Sequence, residues 1–345
     1  MGYKGVAKLL IVRFSSLGDI VQCMSVAPLF RKAYPGADIH WVVREDLSTL
    51  LKHSPDVNRT HVLDRKSGLL GLIRLAFQLR KEGYTHIYDA HSNVRSHILS
   101  WIVHIPLVSS VLGQKFVRRS KQRVKRWLLF KHRKNLFPKP FRGAVSYLTP
   151  LKKWGLAQTP IAQTLNIHDT AYTNHLEKDL RNGVLIAPSA AWDNKRWPIE
   201  YWKELIALMP DYHFFILGGP EDHFCQDIAD AAPERVTNLA GALSWSESAL
   251  CIQKGLILIS GDTGLYHIAD LLGKPCVGLI GPSAFGYPSR SSSRVIEVKL
   301  NCKPCSKDGR DPCGHPRKKH CMTAISPEFV EQSLRKLLTS EANPT

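Results

Sequence analysis

Short apolar runs alternate with helix-length amphipathic stretches along this chain, and they do so in two separate series. This restricts the fold more than any other feature of the sequence. In the first series Lys8 to Arg13, Asp38 to Val43, Thr60 to Asp64 and Thr85 to Ala90 read as strands, with helical stretches after Asp19, after Ser67 and after Ser92. In the second, Gly183 to Ala187, Tyr212 to Leu217, Arg235 to Leu239, Gly255 to Ser260 and Pro275 to Ile280 repeat the rhythm. The pattern predicts parallel sheets with helices on both faces. A polar, weakly periodic segment from about Gln158 to Asn182 separates the series and reads as a hinge. With 345 residues the chain is long enough for two α/β domains, expected over 1–165 and 166–345, each with its own core. Strand C-termini and helix N-termini from both would face a common cleft, the natural ligand site of such folds.

Hydrophobic residues make up 44% and charged residues 22%, the composition of a water-soluble globular protein. The longest mostly apolar stretch, Ile98 to Gly113, is interrupted by His104 and Pro106 and falls short of the ~18 clean residues of a membrane span. Met1 to Phe14 runs straight into Leu9-Leu10-Ile11-Val12 without a long apolar region and small-residue cleavage site, so a cytoplasmic location is expected. Lys and Arg number 47 against 29 Asp and Glu, a formal net charge of +18, and such a surface draws in anionic partners. The charge is densest between Lys115 and Arg142, where Trp127, Leu128, Leu129 and Phe130 sit among the cations. A segment of this kind suits an anionic bilayer, a phosphorylated sugar, nucleic acid, or simply water as a solvated helix face.

Four loops carry chemistry. The first strand runs into Ser15-Ser16-Leu17-Gly18-Asp19 and then the helical stretch Ile20 to Phe30. There Asp19 serves either as a helix cap or as a carboxylate that takes the proton of an attacking hydroxyl. After the strand ending at Ile259 comes Ser260-Gly261-Asp262-Thr263-Gly264-Leu265-Tyr266-His267, a tight turn and helix start whose free N–H groups suit a diphosphate. Ala187 to Pro198 is a loop that carries Lys195 and Arg196 toward a helix begun by Pro198; a cation there neutralises charge on a departing diphosphate, or is merely solvated. In Leu217-Gly218-Gly219-Pro220-Glu221-Asp222 the acids either bond ribose hydroxyls or close a turn. The chain contains no Asp-x-Asp, so a metal-bridged diphosphate is not expected.

Together these fragments resemble the heptosyltransferases, glycosyltransferase family nine. The most specific parts are Ser15 to Asp19, Lys195 to Pro198 and Gly261 to His267, extended by Leu279 to Ser283. The resemblance implies a GT-B fold of two Rossmann-like domains and inverting transfer of heptose from ADP-heptose to the lipopolysaccharide inner core. Asp19 and Lys195 would be catalytic. Ser189, Glu221, Asp222, Asp262, Thr263, Gly264 and His267 would bind the donor. On the acceptor side the resemblance implies Ser16, Asn93 and Arg95, with Arg65, Lys66, Arg118, Arg119 and Lys121 meeting an acidic, membrane-anchored glycan at the inner face of the inner membrane. No cofactor is required in this picture. A related transferase with another nucleotide-diphosphate sugar fits the same fragments, and nucleic-acid binding rests on net charge alone, without the motifs it calls for.

Four of the eight cysteines fall together as Cys302, Cys305, Cys313 and Cys321, with His315 and His320 between them. The opening Cys-x2-Cys has zinc-ligand spacing while the second pair is wider than in a regular ribbon, so a structural zinc and free thiols both stand as expectations. Some members resembling the second heptosyltransferase carry similar cysteine-rich tails. Cys23, Cys225, Cys251 and Cys276 read as ordinary buried thiols.

Overall fold

A computed structural model of the chain describes residues 6–106, 111, 113–167 and 180–342. Within the expected hinge, 168–179 lie outside the described residues, as do 107–110 and 112 of the apolar stretch. The chain forms two compact units, Met1–Arg123 with Ala144–Asn166, and Val124–Gly143 with Ile167–Thr345.

The first unit is built on a five-stranded sheet of order β3-β2-β1-β4-β5, every pairing parallel. Its strands are β1 (Lys8–Val12), β2 (Asp38–Arg44), β3 (Arg59–Leu63), β4 (His86–Asp89) and β5 (Lys115–Arg118). The helices that matter for the site are α1 (Leu17–Met24), α2 (Val26–Ala33), α3 (Gly68–Arg80) and α4 (Val94–Val103). The expected single helix after the first strand starts earlier, at Leu17, and is divided at Ser25. Period-two alternation decides which side of β1 packs where: Leu10 and Val12 join Val42 and Ile87 under Leu72, Ala76 and Leu79 of α3 and Leu99 and Val103 of α4. The α3 residues are spaced i, i+4, i+7, the stripe of a helix laid on a sheet.

Two further helices, α5 (Arg123–His132) and α6 (Gly143–Leu148), follow β5. The second unit carries a six-stranded sheet of order β11-β10-β9-β6-β7-β8, also parallel throughout. The strands are β6 (Val184–Ala187), β7 (Phe214–Ile216), β8 (Val236–Asn238), β9 (Ile257–Gly261), β10 (Cys276–Leu279) and β11 (Ser293–Ile296). With α7 (Ile199–Leu208), α8 (Trp245–Lys254), α9 (Gly264–Leu272) and α10 (Pro327–Ala342) they complete the elements used below. One face is filled by Val184, Ile186, Phe214, Ile216, Ile257 and Ile259 against Trp202 and Ile206 of α7 and Val330 and Leu334 of α10.

All nine expected strands form, each within about two residues of its anticipated ends; the seven interior ones are largely buried, as their apolar runs indicate. The strands β5 and β11 escape that signal. Both lie at sheet edges, are only partly buried, and carry Lys115, Arg118 and Arg294, as edges generally do. Among the described residues no helix is long and apolar enough to cross a membrane.

Candidate active site

In each sheet the first strand of the unit has a neighbour on either side that belongs to a different winding direction, so a crevice opens at its C-terminal end: beside β1 and β4 in one unit, beside β6 and β9 in the other. Asp19 lies at the first crevice. It is the third residue of α1, whose N-cap is Ser16. Its carboxylate makes its bonds to side chains and not to the helix N–H groups. Tyr147 of α6 donates to Oδ1 at 2.7 Å, the Ser16 hydroxyl donates to Oδ2 at 2.9 Å, and the Arg13 guanidinium lies 2.5 Å from Oδ2. The cap alternative is therefore not the one realised. Burial alone would raise the Asp19 carboxyl, but Arg13, the bonds from Tyr147 and Ser16, and the nearby charge of Arg119 hold it well below the usual carboxylate range.

The partners of Asp19 are fixed in turn. Arg13, buried where β1 ends, donates to the Ala90 carbonyl at 3.0 Å. The buried Tyr147 ring is covered by the Arg119 guanidinium, 4.0 Å from its centroid, while Arg119 donates to Ser146 at 2.8 Å. Burial and the Asp19 charge push the Tyr147 phenol up, so it stays a donor. His91, tilted against Phe14 with ring centroids 5.0 Å apart, is pushed down to about 4 by burial and the charges of Arg13 and Lys121, and is neutral at physiological pH. The Asp19 carboxylate keeps 40% of its surface exposed, so a ligand reaches it.

The expected acceptor residues divide. Ser16 and Arg119 belong to the Asp19 network, and Lys121 is partly buried nearby in charge terms, acting on His91. Arg118 instead pairs with the buried Asp89 at 2.6 Å, which also accepts from the N–H groups of His91 and Ser92. Asn93 caps α4 in a reciprocal box with Ser96, which engages its amide oxygen. Arg95 is exposed on the same helix, and Arg65 and Lys66 are exposed in a turn where the Lys66 N–H bonds Asp64. None of these five shares a hydrogen bond or ion pair with the Asp19 network among the described residues. Sequence reasoning missed Arg13 and Tyr147. A charged residue ending an apolar strand was a readable signal for the first; Tyr147 arrives from 128 positions away and had none.

At the second crevice the loop after β6 brings Lys195 to Asp262, which follows β9. Lys195 Nζ lies 2.9 Å from Asp262 Oδ2, and His267 Nε2 lies 3.3 Å from Oδ1. Burial would raise the Asp262 carboxyl; the Lys195 charge and His267 outweigh it and hold it far below its ordinary value. Two glycines permit this packing: a Cβ on Gly286 would come 2.3 Å from Asp262 Cγ, and one on Gly309, where φ is +92°, 2.6 Å from the Lys195 stem. Thr263 caps α9 by accepting from Tyr266 N–H at 3.3 Å, and its hydroxyl meets Ser260 at 2.8 Å. Gly264 opens the helix beside it, and Ser189 is partly exposed in the loop after β6. Asp222 closes its own turn, accepting from Gly219 N–H at 2.7 Å, with Arg196 at 3.8 Å; Glu221 is exposed. The structure thus favours the turn alternative for one oxygen of Asp222.

Cys302, Cys305, Cys313 and Cys321 line a single cavity of about 220 Å³ with His315 and His320. All four are free thiols. Burial and mutual repulsion raise Cys305, and burial pushes Cys321 up to about 11. Among the described residues no three His, Cys, Asp or Glu side chains are arranged to hold a metal ion, so the zinc expectation finds its donor types gathered but no ligating geometry. Cys23, Cys225, Cys251 and Cys276 are buried, as expected.

A doubly wound pair of units, with an ionised aspartate at one crevice and a lysine, a histidine and a capped helix start at the other, is the build of a GT-B glycosyltransferase. The family model of glycosyltransferase family 9 (heptosyltransferase) matches residues 72–313. The lipopolysaccharide core heptosyltransferase OpsX of Haemophilus influenzae is 24% identical over 82% of this chain and 81% of its own length. Among solved structures, a family 9 glycosyl transferase from Veillonella parvula superposes with a TM-score of 0.75 at 20% identity, covering 97% of this chain and 98% of that one. The E. coli ADP-heptose lps heptosyltransferase II does so with 0.73 at 21% identity, covering 97% and 100%. The chain belongs to glycosyltransferase family 9, the heptosyltransferases.

Proposed function

We propose that the protein moves heptose from ADP-heptose onto the acidic inner core of lipopolysaccharide, inverting the anomeric carbon without a metal, at the cytoplasmic face of the inner membrane. The observation that carries this reading is Asp19, a carboxylate kept ionised yet accessible by Arg13, Tyr147 and Ser16. The acceptor hydroxyl attacks the anomeric carbon, the bond from that carbon to the diphosphate oxygen breaks, and ADP leaves with the electron pair. Asp19 takes the hydroxyl proton. One displacement needs one base and forms no covalent sugar intermediate. A carboxylate with so low a proton affinity removes the proton late, once bond formation has made the attacking oxygen strongly acidic. On the donor side, Lys195 and the first N–H groups of α9 would face the diphosphate, with Ser189, Thr263, Gly264 and His267 around it and Glu221 or Asp222 toward the ribose. Lys195 would then share its charge between Asp262 and the phosphates. Lysine and amide dipoles replace the cation that a transferase with Asp-x-Asp uses. Arg65, Lys66, Asn93, Arg95, Arg118, Arg119 and Lys121 remain the acceptor-side proposal, with Arg119 acting through its contact with Tyr147 and Lys121 through its charge near His91. ADP-heptose as donor is supported by the name of the E. coli relative.

The test is product formation from a truncated core acceptor with ADP-heptose, set against UDP- and GDP-hexoses, with and without EDTA. The expected outcome is a mass gain of one heptose with the ADP donor, an anomeric configuration opposite to the donor's, and no loss on chelation. Transfer from a UDP- or GDP-sugar in preference would replace the donor, and loss of turnover in EDTA would overturn the metal-free scheme.

A further inference from the structure

Two helices of the first unit turn apolar side chains to solvent as well as to the sheet. While Leu72, Ala76 and Leu79 of α3 are buried, Leu69, Leu70 and Phe77 are 56%, 70% and 53% exposed. On α4, Val94 and Trp101 are 76% and 75% exposed. Leu70 and Phe77, like Val94 and Trp101, are seven residues apart, so each pair lies on one helical stripe, and α3 packs against α4. Scattered exposed apolar residues are ordinary, but a leucine pair, a phenylalanine and a tryptophan on two adjoining helices form a patch.

The charged residues on α3 and α4 themselves have one sign. Arg74, Arg80 and Lys81 on or beside α3 and Arg95 on α4 are exposed. Between Arg65 and Ile167 the only acidic residues are Glu82 and Asp89. Glu82 is engaged by Lys8 and Arg59, and Asp89 is fully buried on Arg118. Beside Trp101 lies a pocket of about 460 Å³ lined by Ile98, Trp101, Pro106 and Phe116, with Arg118 among its walls.

We infer that the α3–α4 face of the first unit seats on an anionic lipid bilayer, with Leu70, Phe77 and Trp101 entering the headgroup–acyl boundary and the pocket beside Trp101 receiving part of an acyl chain. Cations interleaved with apolar and aromatic side chains, without acids, are what the surface of such a bilayer selects. A protein partner selects instead an apolar centre inside a mixed polar rim. Both α3 and α4 follow strands of the same parallel sheet as α1, so their N-termini emerge at the edge that carries Asp19. A lipid-anchored acceptor would thus be delivered to the edge where the base waits. This placement rests on the proposed function; the lipid contact itself does not.

The experiment is co-sedimentation of the full chain with vesicles of phosphatidylcholine, alone or mixed with phosphatidylglycerol, for the wild type, Leu70→Ser/Phe77→Ser/Trp101→Ser, and Trp127→Ser on the basic helix α5. The expected result is binding to the mixed vesicles only, reduced about ten-fold or more in the triple variant and unchanged in Trp127→Ser. Far-UV circular dichroism checks that the exposed substitutions leave the fold intact, and turnover on an acyl-free acceptor should stay at the wild-type level. Equal pelleting of wild type and triple variant, or a loss confined to Trp127→Ser, overturns the inference. Absence of turnover on every acceptor with vesicle binding intact would defeat the proposed function and leave this inference standing.

Discussion

A general base is commonly tuned toward neutrality, and Asp19, the base proposed above, is tuned the other way. Arg13 and two hydroxyl donors stabilise its charge more than burial disfavours it. The consequence is a carboxylate that is ionised throughout the working pH range and oriented at both oxygens. The sign is testable: removing a donor to the ionised form disfavours ionisation, so the carboxyl must rise. In Tyr147→Phe the acid limb of the kcat–pH profile is expected to move to higher pH, with kcat on the plateau reduced less than in any Asp19 variant; a limb that stays in place contradicts the role given to Tyr147. By the same linkage, the stability contributed at this site is present above the unfolded carboxylate value and is lost as pH falls through the lowered folded one. The place of Asp19 was legible in the run Ser15 to Asp19, after a strand and before an apolar helix, where a carboxylate serves either as a cap or as a base; its bonds to Tyr147, Ser16 and Arg13 came only with the fold. Arg13 was half legible, and Tyr147 was not, since contacts between distant positions leave no local pattern.

Helix starts do much of the positioning, and they were read more easily for their existence than for their engagement. Thr263 and Asn93 both stand where a phosphate or sugar contact was anticipated, and both are first of all caps. For Thr263 the two roles are compatible, because the cap takes the third N–H of the helix and leaves the first positions turned to the loop. Thr263→Ala is expected to lower unfolding free energy by about 0.5–2 kcal/mol, measured by urea denaturation, and to weaken donor binding; unchanged stability would mean that the cap is not formed in solution. The buried strands were legible for the reason that makes them strands, continuous apolar sequence, and the edge strands β3 and β8 were read as well, whereas β5 and β11 hide because cations such as Lys115, Arg118 and Arg294 break their apolar run. The turn at Gly218 to Asp222 shows the limit of such reading: a glycine pair followed by acids serves a ribose or a turn equally well, and only the bond from Gly219 to Asp222 distinguishes them.

At the scale of the whole molecule, each unit carries one half of the proposed chemistry at the crevice beside its first strand: β1 with β4 for the proposed base Asp19, β6 with β9 for Lys195, proposed to face the phosphates. That division was visible in the sequence as two series of strands, each followed by its own loop motif. The membership of Val124–Gly143 in the second unit was not visible, because it depends on contacts such as Arg133 with the Cys302 and Pro304 carbonyls far along the chain. The basic excess between Lys115 and Arg142 was legible as a charge, and its division between the two units only became clear with the fold. In the proposed scheme one unit removes the proton and the other binds the donor. Its most direct test measures turnover and ADP-heptose affinity together in Asp19→Asn: kcat should fall by about 100- to 10,000-fold while the donor Kd stays near the wild-type value. A variant that turns over normally, or one that loses donor binding in step with turnover, would contradict it.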